Sequence, residues 1–177
     1  MMISHCRYFF DSYLALPVWA CEVLLVVLCI GIAVAFFLYG AKKGGLMTLR
    51  LLLIEYIVML FCSTVFFRPA MEERQYDYHP FWSYVAIHEG KRGLIEENVM
   101  NFLMFVPAGV LIGCGFRGMT WWKVMLIGTC LSVSIEAMQL ITKRGFSEFD
   151  DVMHNTLGCM IGYGVFVLTK RLLKYGK

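Results

Sequence analysis

The stretch WWKVMLIGTCLSVSIEAMQLI, residues 121–141, decides the fold. Its charged residues are Lys123, near one end, and Glu136. A helix rising about 1.5 Å per residue needs about 20 apolar residues to cross a hydrocarbon layer about 30 Å thick. This stretch is that long and is apolar on nearly every side, so it is not an amphipathic surface helix. It is also too long for a strand. Four more stretches read the same way: Val18–Tyr39, Leu49–Phe67, Asn98–Phe116 and Val152–Lys170. The composition agrees. Of 177 residues, 59% are hydrophobic and 16% charged, against roughly 45–50% and about 25% in a soluble domain. Mean hydropathy is +0.67. Disorder, collagen and a coiled coil are poor fits. A net charge of +3 is too mild to imply a nucleic-acid partner. The expected fold is an all-α, polytopic membrane helix bundle of about five spans, in a single domain covering residues 1–177.

The basic residues orient it. Cytoplasmic ends of spans are enriched in Lys and Arg. Placing Lys42, Lys43 and Arg50 inside also places Arg117, Lys123, Lys170, Arg171, Lys174 and Lys177 there, nine basic residues with no acid among them. The other side holds seven basic and ten acidic residues. The N-terminus is then outside and the C-terminus inside. The first apolar run is too long for a signal peptide, and Lys42-Lys43 after it reads as a stop-transfer signal. Seven cysteines, six of them within apolar runs and none in a CxxC, read as packing thiols.

Polar residues inside spans are costly and therefore informative. Asn98 and Asn101 share a face at the outer end of the third span. Ser132, Glu136, Gln139 and Lys143 form one stripe on the fourth, and Asp151, Asn155, Gly158 and Gly162 form one on the fifth. Glu136 lies about 8 Å below its outer helix end, and Asn101 and Asn155 about 5 Å below theirs. Three helices thus bring polar groups to one outer slab, either as interhelical hydrogen-bonding glue or as a pocket. Arg144 and Lys143 are the nearest basic partners for Glu136. Gly109-x-x-x-Gly113 and Gly158-x-x-x-Gly162 allow close backbone approach, within the chain or in a homodimer. Pro107 is expected to kink the third helix and splay its outer half. The aromatic-rich connection Arg68–Glu97 is expected to carry a short interfacial helix over Pro80–His88. His154 follows Asp150 by one turn, but no metal-ligand spacing accompanies the pair, and no nucleophile elbow, P-loop or HExxH occurs. No metal and no cofactor are therefore expected.

The same residues resemble the VanZ-like membrane protein family. Asn101-Phe-Leu-Met-Phe105-Val-Pro107-Ala-Gly109 is similar to N-x-x-x-F-x-P-x-G, and Ser132-Val-Ser-Ile-Glu136-Ala-Met-Gln139 to S-x-x-x-E-x-x-Q. Arg144 followed by Asp150-Asp151-Val-Met-His-Asn155-Thr-Leu-Gly158 is similar to a basic residue and then D-D-x-x-x-N-T-x-G, a pattern Gly162-Tyr163 continues. Tyr78-His-Pro80-Phe81-Trp-Ser departs from the family's N-L-x-P-F-x-T at its first positions. The resemblance covers about residues 68–167. It implies a multi-pass protein of the bacterial cytoplasmic membrane, in a family associated with teicoplanin-type glycopeptide resistance. It implies no reaction.

Two functions compete, ahead of a transporter or assembly partner, for which five spans are few and no inverted repeat is visible. In the first, Asn98, Asn101, Glu136, Gln139, Arg144, Asp151 and Asn155 bind an outer-leaflet lipid, such as a lipid-linked envelope precursor, or another amphiphile. Lys143, Arg144, Arg68 and Arg92 would serve an anionic headgroup. In the second, an intramembrane enzyme acts on a lipid or envelope headgroup. Glu136 is its general acid or base, and Asp150 or Asp151 its second carboxylate. The missing nucleophile ranks the enzyme lower.

Overall fold

The computed structural model describes residues 44–175. The expected first span, 18–39, lies outside the described residues, together with the Lys42-Lys43 pair. Within them the chain forms helix α1 (Gly44–Phe66), strand β1 (Gln75–Asp77) and helices α2 (Trp82–His88), α3 (Gly93–Gly115) and α4 (Trp121–Thr142). Strand β2 (Phe146–Glu148) and helix α5 (Phe149–Tyr175) complete it. Helices α1, α3, α4 and α5 are each long and apolar enough to cross a membrane, in agreement with the four expected spans in this region. About a third or less of each is buried within the protein. The remainder presents large apolar side chains outward, among them Ile54, Leu103, Leu126, Val133, Leu157 and Leu168. A surface of that kind is stable against lipid rather than water. Trp82, Tyr76 and Tyr78 mark one end of the bundle and Trp121 and Trp122 the other, as interfacial aromatic belts do.

Three helices begin earlier than hydropathy indicates, α1 by Gly44 and two others for reasons the sequence shows. α5 starts at Phe149, because Asp150 and Asp151 occupy its first turn, where a carboxylate meets the positive end of the helix dipole. α3 starts at Gly93, with Glu96 in its first turn. It continues unbroken through Pro107.

The core sits where α3 packs along α5. A Cβ on Gly109 would overlap the Cys159 carbonyl. One on Gly158 would overlap the Phe102 carbonyl, and one on Gly162 the Val106 carbonyl. Gly109, Gly158 and Gly162 therefore lie in a backbone-to-backbone seam within the chain, while a Cβ on Gly113 would meet the Phe166 side chain. Phe105, Ala108, Ile112 and Cys159 fill the space beside the seam. α4 covers α5 on one side. α1 lies against α3, with the Tyr56 hydroxyl donating to the Met104 carbonyl (2.7 Å) and Arg50 Nε to the Gly115 carbonyl (3.1 Å).

At the Trp82 end, α1 widens into a π turn over Cys62–Phe66. β1 and β2 pair in parallel, Gln75 opposite Phe146 and Asp77 opposite Glu148. The periodicity did not anticipate these strands. Three residues each are too few to show alternation, and their partners lie about seventy positions apart in the chain. A two-stranded ribbon is marginal alone. Here Trp82 secures it, packing edge-on against Phe146 (5.7 Å between centroids) and donating from Nε1 to Glu148 Oε2 (2.9 Å).

Candidate functional site

α4 ends with Lys143 in the left-handed conformation (φ 57°), and Gly145 follows at φ 105°. The second turn needs a glycine for conformation and for space. A Cβ at Gly145 would lie 3.0 Å from Gln139 Nε2 and 3.1 Å from an Arg68 guanidinium nitrogen. This tight reversal returns β2 over the end of α4, so that the Glu148 backbone N–H donates to Glu136 Oε2 (2.8 Å). The Ser147 hydroxyl faces the same carboxylate.

Around Glu136 the three predicted stripes do meet. Asn101 donates to Asp151 Oδ1 (2.6 Å), joining α3 to α5. Asn155 donates to Ser132 Oγ (2.8 Å), joining α5 to α4. Gln139 donates to the Thr64 carbonyl (3.1 Å), an oxygen in the π turn of α1. The Arg68 guanidinium lies within electrostatic reach of both Glu136 and Asp151. Glu136, Gln139 and Asn155 are all buried. Two of their acceptor atoms, Gln139 Oε1 and Asn155 Oδ1, have no hydrogen-bond partner among the described residues.

Other predicted residues go elsewhere. Arg144 does not serve Glu136. One of its guanidinium nitrogens donates to the Phe66 carbonyl (2.7 Å) and the Arg68 carbonyl (2.8 Å), capping the negative end of α1. Lys143 donates to the Glu72 carbonyl (3.0 Å). Asn98 is one turn from Asn101 but donates to Ser83 Oγ (3.2 Å) in α2. Asp150 is fully buried and holds the start of α2, accepting from Phe81 N–H (2.6 Å), Ser83 N–H (3.0 Å) and Ser83 Oγ (2.6 Å). Phe81, at φ 64°, is a rare left-handed non-glycine residue, and this carboxylate pins it in place. His154 turns toward the Tyr84 hydroxyl (2.8 Å) rather than toward Asp150. Among the described residues no three His, Cys, Asp or Glu side chains are placed to hold a metal.

Sequence reasoning missed the position of Arg68, the part played by Ser147 and Glu148, and the carbonyl of Thr64. Glu148 has a consequence that can be measured. Burial, reinforced by the neighbouring Asp151 carboxylate, raises its carboxyl to about 9, although the Trp82 indole bond acts in the opposite sense. Between the ordinary carboxyl range and about 9, the folded protein holds a proton that the unfolded chain has released. The stability this contributes is complete below the ordinary range and is lost as pH rises through that window. In detergent, the wild type is expected to lose thermal stability from pH 6 to pH 9, and Glu148→Gln to lose distinctly less. Equal slopes would place Glu148 in a more solvated environment than the structure gives it.

The VanZ/LLP1 family model matches residues 49–170. Over 85 residues the chain is 26% identical to Protein VanZ of Enterococcus faecium, an alignment covering 48% of this chain and 53% of that protein. The match therefore spans about half the length of that relative. No solved structure matches. The matched region takes in most of each of the four described spans and the cluster around Glu136, and the chain belongs to the VanZ/LLP1 family.

Proposed function

We propose that this chain is a binding protein of the cytoplasmic membrane. Its cluster around Glu136 takes the headgroup of a lipid-linked envelope component or another amphiphile from the outer leaflet, and so contributes to teicoplanin-type glycopeptide resistance. The observation that carries this reading is a pair of buried acceptors without a partner among the described residues, Gln139 Oε1 and Asn155 Oδ1, beside the Glu136 and Asp151 carboxylates and the Arg68 guanidinium. A buried acceptor without a donor costs about 1–3 kcal/mol, so a group supplying N–H or O–H would be bound with that much in its favour. A headgroup carrying sugar hydroxyls or peptide amides supplies such donors, and Arg68 suits an accompanying phosphate. Lys143 and Arg144 are engaged with backbone carbonyls and drop out of the headgroup site.

A second reading rests on the nearness of Glu136 and Asp151. Two neighbouring carboxylates can exchange a proton with a substrate, which makes Glu136 a general acid or base. One comparison separates the two readings. Wild type, Glu136→Gln, Gln139→Met and Asn155→Leu are made at matched membrane levels, with Glu55→Gln as the control away from the cluster. Native mass spectrometry measures binding of a lipid-linked disaccharide-peptide precursor, and cellular lipids and teicoplanin susceptibility are profiled alongside. A binding site predicts about tenfold weaker binding in Gln139→Met and Asn155→Leu, equal to about 1.4 kcal/mol, with susceptibility following binding. An enzyme predicts a lipid that accumulates in Glu136→Gln while binding persists. Binding unchanged in all three cluster variants would overturn the assignment of the site.

A further inference from the structure

The opposite end of the bundle carries a feature that the cluster around Glu136 does not use. The last turns of α3 and α5, with the connection 116–119, line an open groove of about 1110 Å³ there. Its walls include Val110, Val165, Phe166 and Leu173, and its charged lining residues are Arg117 and Lys170, with no acid. Among the described residues neither of these cations forms an ion pair. Lys170 lies over the Phe166 ring with its nitrogen 5.6 Å from the centroid, so its stem follows the apolar wall while its charge stays at the mouth. Val165 and Leu173 are about half and two-thirds exposed. Trp121 and Trp122 stand at the same end as an aromatic belt. By the charge distribution this end faces the cytoplasm.

We propose that this groove binds one anionic phospholipid of the inner leaflet, with its phosphate between Arg117 and Lys170 and an acyl chain along Val110, Val165 and Phe166. Charge complementarity selects this occupant. Two cations without acidic partners, at the rim of an apolar trough at the level of a membrane surface, match an acidic headgroup above a hydrocarbon tail. Neither a neutral lipid nor a free phosphate uses both parts of the groove.

The test uses the full chain in nanodiscs containing phosphatidylglycerol and phosphatidylcholine, extracted into mild detergent, with retained lipid counted by native mass spectrometry. Arg117→Ala and Lys170→Ala are each expected to reduce retained phosphatidylglycerol about fivefold. Arg171→Ala removes the same charge one residue further on, outside the lining, and is expected to leave retention near wild type. Val165→Trp keeps both cations and fills the trough, and is expected to displace the lipid as well. A parallel melting curve identifies any variant that has lost its fold, and for such a variant Arg117→Gln, Lys170→Gln or Val165→Phe replaces it. Retention unchanged in Arg117→Ala, Lys170→Ala and Val165→Trp would show that other chain segments or a second copy fill the groove, and would overturn the proposal. An equal loss in Arg171→Ala would reduce it to general surface charge and would overturn it too.

Discussion

Gly162→Ala is expected to leave little folded protein in the membrane fraction, and Gly158→Ala the same. The added methyl at Gly162 would occupy the position of the Val106 carbonyl, and at Gly158 that of the Phe102 carbonyl. Overpacking a core typically costs about 1–3 kcal/mol when side chains can shift. Here the obstacle is main chain inside a helix, so the two helices must separate along their whole length. The cost then exceeds that range, even though alanine favours a helix over glycine by about 1 kcal/mol. Gly164→Ala is the internal control. Its methyl would meet the edge of the Trp121 ring at 3.2 Å, a side chain at the rim that can turn aside. Its melting temperature in detergent is expected to stay near wild type. A Gly162→Ala protein melting within about 2 °C of wild type, a shift worth less than about 1 kcal/mol for a domain of this size, would show that α3 and α5 do not touch as described.

Asp150→Ala is expected to release α2 from the bundle while the four spans stay assembled. Asp150 accepts three hydrogen bonds, two from backbone N–H groups at the start of α2 and one from Ser83 Oγ. Hydrogen bonds to a charged group contribute about 1.5–3 kcal/mol each, and removal leaves buried donors unmatched. Losing them also frees Phe81 from a left-handed conformation that costs about 1–2 kcal/mol. Three such bonds less the strain released at Phe81 give an expected loss of about 3–8 kcal/mol, localised to residues 75–88. Asp150→Asn should be nearly as damaging, because its amide nitrogen would face donors where an acceptor is needed. Limited chymotrypsin digestion reads the effect as new cleavage at Trp82 or Tyr84, with circular dichroism reporting that the long helices persist. No new cleavage in either variant would mean that the ribbon and Asn98 hold α2 without Asp150.

The four described spans were legible because hydropathy over twenty residues is a sum that few local details can cancel. The polar stripes were legible for a related reason, since helical spacing fixes which residues share a face, and Glu136, Gln139, Asp151 and Asn155 duly converge. Arg68 was named only as one of several cations. It sits just beyond a helix end, where no periodicity shows which way a side chain turns. Arg144, nearer to Glu136 in sequence, lost that place because the carbonyls at the end of α1 lie closer to its guanidinium. The glycine pairs announced a close helix contact but not its partners. That α3 meets α5, passing over α4 in chain order, depends on complementary surfaces that no single helix encodes.

The seam between α3 and α5 also sets the order in which the molecule can be made. Chains grow at about 5–20 residues per second, so the glycine face of α3 waits several seconds before α5 has been synthesised. Until then α3 has no partner of the right shape, and Glu136 has neither the Glu148 backbone N–H nor Asp151 beside it. The polar site is therefore a product of late assembly. A ribosome that stops before residue 149 leaves a membrane-inserted fragment with an unshielded carboxylate and an unmatched groove, the kind of intermediate on which membrane quality control acts.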